Sequence, residues 1–222
     1  MTMPRDLPET WMDEGSFAIE PGIRRVAADP LKRTIDILGA GIGLLLLSPL
    51  LLTVALLIVL ESRGWPVFCQ RRTGYAGRSF VIYKFRSMRV CEDGPTIVQA
   101  VRDDDRITVV GRIIRRTSID ELPQLLNVLK GEMSLVGPRP HALAHDSYYG
   151  ELVPGYDRRF MTKPGLTGLA QVCGLRGRTE DVADMAARIE KDLEYIENWS
   201  LLLDIKILLR TLLIFAFHPA AY

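Results

Sequence analysis

Residues 37–60 read ILGAGIGLLLLSPLLLTVALLIVL, 24 positions without one charged side chain. As a straight helix rising ~1.5 Å per residue, the run would reach ~36 Å, enough for a hydrocarbon core of ~30 Å. It is therefore read as a membrane segment. A secretory signal is not expected. The run starts far from the N-terminus, exceeds an apolar core of ~7–15 residues and is followed by no small-x-small cleavage site before Glu61. Proline interrupts it near the middle. Pro49 has no N–H for the Leu45 carbonyl and its ring crowds that carbonyl, while the Ser48 hydroxyl is placed to satisfy the freed group. Ser48-Pro49 is thus a helix break or a kink, and kinked helices also span.

The flanks bear on that choice. Lys32 and Arg33 precede the run. Between Glu61, just after it, and Glu92 come Arg63, Arg71, Arg72, Arg78, Lys84, Arg86 and Arg89, with no acid among them. Basic residues mark the cytoplasmic side of a membrane segment. Positive charge on both sides is awkward for a single span and natural for a segment that enters and leaves by one face. Asp36 stands where it can pair with Arg33 at the interface.

The remaining chain sets the fold class. With 222 residues, 48% hydrophobic and 25% charged, and a net charge of +1, it suits one domain, or one domain with an appendage. Residues 1–30, rich in acid and proline, read as a flexible tail; 31–61 as the membrane segment; 62–222 as a domain at the cytoplasmic face. PVFCQ and FVIYKF, joined by the glycine-bearing RRTGYAGRS, predict a small β-hairpin near the membrane. Residues 91–105 read as loop, and Asp103–Asp105 as a solvated turn. Leu122, Leu125, Leu126 and Leu129 lie on one helical face, stopped by Gly131. That helix has two competing starts, Ser118 as N-cap with Glu121 at N3, or Pro123 at N1. Val182–Glu197 reads as an amphipathic helix. Residues 199–217 are more apolar but hold Asp204, Lys206 and Arg210, which suits an interfacial helix better than a span. The class is α+β and helix-rich: a monotopic membrane protein with one re-entrant helix-break-helix, a β-hairpin and C-terminal amphipathic interfacial helices.

Three cysteines, Cys69, Cys91 and Cys173, form no C-x-x-C pair and fit a reducing compartment. His141 and His145 share a helical spacing but lack the carboxylate motif of a zinc site.

Asp120 and Glu121 open a helix among basic groups: Arg115 and Arg116 before them, Arg139 after them between Pro138 and Pro140. Helix capping is the plain role for such acids, worth ~0.5–2 kcal/mol. A helix N-terminus also attracts phosphate, and arginines grip it bidentately. An acid there repels phosphate unless it has chemistry to do. It can attack phosphorus, or, with its neighbour, hold Mg²⁺ against phosphate oxygens. Lys84 and Arg86, two apart in YKFRSM, share one strand face and lie far from any acid in sequence. Lys163–Gly168 reads as a turn-rich loop, as able to line a pocket as to serve only the fold. The basic stretches are interleaved with apolar strands behind a membrane segment. They point to anionic membrane lipids or a phosphorylated small molecule, and to no nucleic acid.

KRTIDILGAGIGLLLLSPLLL, YKFRSM, RRTSIDELPQLLNVLKGEMSLVGPRP, KPGLTGLAQVCGLRG and DLEYIENWSLLLDIKILLRT together resemble the bacterial monotopic phosphoglycosyl transferases, also called polyprenyl-phosphate sugar phosphotransferases. The resemblance runs in order from about Leu31 to Leu213. It implies transfer of a sugar-1-phosphate from a UDP-sugar to undecaprenyl phosphate with release of UMP, at the cytoplasmic face of the bacterial inner membrane. It implies Asp120 as nucleophile, Glu121 placing Mg²⁺ and the reacting phosphate, Arg115 and Arg139 on phosphate, and Lys84 nearby. By the same token Ser48-Pro49 is the break of a re-entrant helix. The C-terminal motifs look most like members that transfer glucose-1-phosphate, with galactose next, in the first membrane step of exopolysaccharide, capsule or O-antigen assembly. Larger members carry further membrane helices and another domain before this unit, and the present chain is expected to be a short member. A non-catalytic membrane-anchored partner in polysaccharide assembly is the alternative, though it leaves the acid-and-arginine cluster without a role. No residue pattern reports an oligomeric state.

Overall fold

The computed structural model describes residues 26, 29–89, 104–177, 179 and 181–217. Most of the expected tail and of the 91–105 loop lies outside them. Val26, inside the expected tail, is buried against Tyr195, Ile196 and Ile207.

Helix α1 spans Pro30–Glu61. Its start is written in sequence: Asp29 caps it by accepting from the Lys32 amide (2.8 Å), and Pro30 sits at the first helical position, where proline costs no hydrogen bond. Helix α1 continues through Ser48-Pro49 with no unwound residue between its halves. The physical reason is local. Ser48 Oγ donates to the Leu45 carbonyl (2.8 Å), the acceptor that proline leaves without its usual partner.

Burial along α1 is the more informative pattern. Lys32, Asp36 and Ala40 are buried, then Val54 and Ile58, with nothing buried between. Midway, Leu45, Leu46 and Leu52 are 72–74% exposed. Both ends of the helix are fastened to the same body. Near its start, the Asp36 carboxylate accepts from the Leu135 amide (2.8 Å) and from Ser134 Oγ (3.0 Å). Arg33 donates to the Val128 and Leu129 carbonyls (2.6 and 2.7 Å), in the last turn of a helix, where a guanidinium suits the exposed carbonyls. At the far end, Glu61 accepts from the Val109 and Val110 amides (2.6 and 3.0 Å), the start of α2 (Val109–Arg116).

Strands β1 (Val67–Thr73) and β2 (Ser79–Phe85) pair antiparallel, Val67 against Phe85 and Thr73 against Ser79. The hairpin stands as expected, with strands longer and turn shorter. Ala76 and Gly77 take positive φ there. Alternation puts Phe80 and Ile82 on one buried face, and Phe85, of opposite parity, is buried on the other. Phe80 and Ile82 pack with Ala40, Leu125, Val128 and Met133, and Phe85 with Val54, Ile58 and Ile114. The hairpin therefore packs against both halves of α1.

The Leu122–Leu129 stretch departs from the regular helix expected. Ser118 adopts a left-handed conformation (φ 54°) and caps nothing, a tight 3₁₀ segment covers Ile119–Gln124, and α3 is only Leu125–Lys130. The capping box fails because Glu121 is engaged elsewhere. The inward face is Leu125 and Val128, while Leu126 is exposed. Gly131 closes α3 at φ 85°, as its position predicts.

Parallel strands β3 (Ser134–Val136) and β4 (Gly165–Thr167) follow, with α4 (Leu143–Leu152) and a 3₁₀ turn (Tyr156–Met161) between them. A short α5 (Leu169–Val172) leads to α6 (Val182–Glu197) and α7 (Leu201–Phe217). The charges of α7 sort by face. Lys206 and Arg210 point outward, whereas Asp204 turns inward and accepts from Lys32 Nζ (2.7 Å), Tyr195 Oη (2.8 Å) and Trp199 Nε1 (3.2 Å). Leu202, Ile205, Leu209, Leu212 and Leu213 form an exposed apolar stripe. Asp104 departs from the solvated turn expected: it is buried and paired with Arg106 at 2.8 Å.

Candidate active site

The left-handed Ser118 turns the chain sharply after α2, and the 3₁₀ segment presents Asp120 and Glu121 in its first turn. With ~3 residues per 3₁₀ turn, neighbouring side chains diverge by about 120°, so two adjacent acids meet different surroundings.

Glu121 is held on both oxygens. Lys84 Nζ donates to Oε1 (2.8 Å), and the Arg139 guanidinium forks onto both, with Nη1 to Oε2 at 2.8 Å. Burial alone pushes its carboxyl up, but Arg139 and Lys84 overturn that and hold it well below the usual glutamate range. Burial likewise pulls the Lys84 ammonium down, against the attraction of Glu121. Asp120 receives no hydrogen bond or ion pair among the described residues. Burial, then the charge of Glu121, push its carboxyl up to about 6, against Lys84, Arg115 and Arg139. The pair splits into one clamped acid held low and one open acid held high, the separation that assigns roles to paired carboxylates.

Both acids line a cavity of ≈440 Å³, a usual size for a ligand site. Arg115, Arg139 and Arg176 line it as well, together with the apolar Leu122, Leu135, Leu166, Val172, Leu208 and Leu212. Gly137 is why β4 can approach: its amide donates to the Thr167 carbonyl (2.9 Å), and a Cβ there would collide with the Lys163 carbonyl. The 163–168 loop does line the pocket, through Leu166 and Thr167.

Not every expected contact gathers here. Arg86 lies beyond the end of β2, outside the pocket lining, and donates to the carbonyls of Ser62 (2.6 Å), Arg63 (2.9 Å) and Gly64 (3.4 Å). Its role is to tie the chain leaving α1 to the hairpin. Period-2 reasoning misplaced it because the strand stops at Phe85. Arg116 is exposed and outside the lining as well. His141 is buried, and burial and then Arg159 hold its imidazole well below the usual range. Among the described residues no three His, Cys, Asp or Glu side chains converge as a metal cluster.

Sequence reasoning missed Arg176, Gln171 and the α7 wall. Arg176 looks like any basic loop residue, and nothing local says that residues 208–214 return to face residue 120.

An open carboxylate, a set of guanidinium groups and apolar walls in one pocket define a site for an anionic group carried on an apolar body. The chain belongs to the bacterial sugar transferase family, whose model matches residues 27–218. It is similar to the UDP-glucose:undecaprenyl-phosphate glucose-1-phosphate transferase of Caulobacter vibrioides, 56% identical over 197 residues, 88% of this chain and 74% of that one. The transferase of the same name from Escherichia coli K12 is 49% identical over 192 residues, 86% of this chain but 41% of that one. The exopolysaccharide production protein PSS of Rhizobium leguminosarum is 50% identical over 186 residues, covering 82% and 92%. The chain thus spans less than half of the Escherichia coli relative and most of the Rhizobium one.

Proposed function

We propose that the protein transfers a hexose-1-phosphate, with glucose first, from a UDP-sugar to undecaprenyl phosphate. The observation that carries this is the pocket, which joins an open acid and arginines to apolar walls. A nucleotide sugar offers its many polar groups little on such walls, whereas a lipid phosphate matches both kinds of lining. The names of the relatives support the same substrates.

In the first half-reaction an Asp120 carboxylate oxygen attacks the phosphorus bearing the sugar. The bond from that phosphorus to the bridging oxygen breaks, and UMP leaves with that oxygen. An oxygen of undecaprenyl phosphate then attacks the same phosphorus, the acyl-phosphate bond breaks, and the Asp120 carboxylate is restored. The two substrates need not be bound together. Arg115 and Arg139 steady the phosphoryl oxygens as charge develops. Glu121, fixed by Lys84 and Arg139, keeps Arg139 aimed beside Asp120.

Mg²⁺ fits this donor set as a cofactor held by the open Asp120 carboxylate together with substrate oxygens, a usual arrangement for this ion. Glu121 joins it only by sharing oxygens with its two cations. When bound, the ion offsets the charge of the diphosphate.

Cytosolic UDP-sugar and a membrane lipid must meet at one carboxylate, which sets the topology. Both ends of α1 are bonded into one body that carries the site, and its middle exposes leucine. We infer that α1 dips into one leaflet of the inner membrane and returns, leaving both flanks at the cytoplasmic face among its lipids. Cysteine labelling of Ser16→Cys and of native Cys173 is expected from the same face; labelling from opposite faces contradicts the topology.

The direct functional test is UMP formation from a panel of UDP-sugars with undecaprenyl phosphate and Mg²⁺. UDP-glucose should be the best donor. UMP sustained over many turnovers without the lipid would mean hydrolysis instead. The acid pair also sets a pH dependence. Only ionised Asp120 attacks, and its carboxyl titrates near 6, so single-turnover UMP release should fall as pH drops through about 6. A rate flat between about pH 5 and pH 8 contradicts that role.

A further inference from the structure

Behind the pocket lies a polar network that the chemistry above does not use. Arg159 is 3% exposed, Asp146 0%, Asp192 2% and Tyr156 1%. Thr73 Oγ1 and Tyr156 Oη donate to the two Asp146 oxygens (2.6 and 2.7 Å). Arg159 is the hub. Its Nη1 donates to Tyr156 Oη (3.1 Å) and His141 Nδ1 (2.5 Å), and its Nη2 to Asp192 Oδ2 (2.9 Å) and to the backbone carbonyl of Arg139. The network reaches from the hairpin and α4 to α6 and ends on the residue that clamps Glu121.

Stability does not account for it. Ions taken from water lose more solvation than a pair usually returns, and apolar replacements of such pairs are often as stable or more so. Buried charge of this kind fixes geometry. The Gly137–Pro140 loop is also fastened just before Arg139, by the Gly137 amide to Thr167 and by the Gly165 amide to the Pro138 carbonyl (2.8 Å). Arg159 bonds the backbone of Arg139 itself.

Resting on the functional reading above, we propose that Arg159 is a positioning residue: it locks the Arg139 backbone, and through Arg139 it holds Glu121 in register with Asp120. It touches no substrate. A small displacement in such a chain is amplified at the reacting atoms, where a misplacement of ~1 Å costs up to ~100-fold in rate.

The test is a double-mutant cycle on kcat for UMP formation, with thermal unfolding followed in parallel. Arg159→Met should slow the enzyme by about tenfold or more. In an Arg139→Ala background the same change should alter kcat by less than about twofold, since the side chain through which it reaches Glu121 is gone. Equal losses in both backgrounds, or no loss in the first, would overturn the proposal. If Arg159→Met does not fold, Asp192→Asn, which removes the anion that orients Nη2, is read in the same cycle with the same expectations. A wild-type protein that forms no UMP from any UDP-sugar sinks the functional reading instead. The positioning claim is then decided by amide hydrogen exchange. Arg159→Met, or Asp192→Asn in its place, must quicken exchange in 137–141 and 119–122 ahead of the rest, and uniform or unchanged exchange refutes it.

Discussion

Asp120→Asn forms no UMP from any UDP-sugar, yet folds and stays membrane-bound. The substitution keeps size and shape but removes the attacking oxygen's charge, and amides do not displace UMP from a diphosphate. The expected loss is at least ~1,000-fold, about 4 kcal/mol of transition-state stabilisation. Folding should not suffer, because no described hydrogen bond or ion pair holds this carboxylate. The sign of the linkage goes further. A carboxyl raised from 3.8 to about 6 on folding contributes stability that is present below its unfolded pKa and lost as pH rises through the folded one. At pH 7 the ionised acid is a burden on the fold, so Asp120→Asn should unfold no earlier than wild type, and later if anything. Activity lost while stability is kept or gained is the signature of a strained functional acid. Retained turnover in this variant would remove Asp120 as the nucleophile.

The second large effect lies at the membrane end. Lys32 Nζ, buried at the start of α1, donates to Asp204 on α7 (2.7 Å), the Val136 carbonyl (3.1 Å) and Tyr195 Oη (3.3 Å). Lys32→Met leaves Asp204 charged and sealed from water, with only Tyr195 and Trp199 donating to it. Losing one partner of a buried pair costs about 3–5 kcal/mol, so detergent-solubilised Lys32→Met should unfold far below wild type. The double variant Lys32→Met with Asp204→Leu should recover much of that loss, because no lone charge remains. A cost for Lys32→Met under about 1 kcal/mol, the range of exposed pairs, would mean that the joint between the membrane helix and α7 is not the closed contact described.

What could be read beforehand was whatever a local pattern encodes. The uncharged run through Ser48-Pro49, the hairpin around Gly74 and Gly77, the α6 boundaries and the stop at Gly131 each depend on neighbours in sequence. So does the adjacency of Asp120 and Glu121. Several errors share a cause. Ser118 and Glu121 had capping-box spacing, but Glu121 is captured by Lys84, 37 positions away, and by Arg139, 18 positions away. Arg86 looked like a partner of Lys84 until the strand ended one residue before it. Asp204 read as an awkward charge in an apolar helix, because its partner Lys32 lies 172 positions earlier. Arg159 carried no signal, since a basic residue in DRRFM reads as surface until burial and the Arg139 carbonyl give it a task. Tertiary capture of charged side chains accounts for Glu121, Asp204 and Arg159, while Arg86 and the Leu122–Leu129 stretch depart from the periodicity read in sequence.

The covalent step is tested most directly by incubating the protein with UDP-glucose and no lipid acceptor, then measuring intact mass and mapping the modified peptide. One hexose-phosphate per chain, on Asp120 and released by undecaprenyl phosphate, is the predicted result. A hexose-phosphate on any other side chain, or UMP formed only when lipid is present and with no adduct at all, would contradict it.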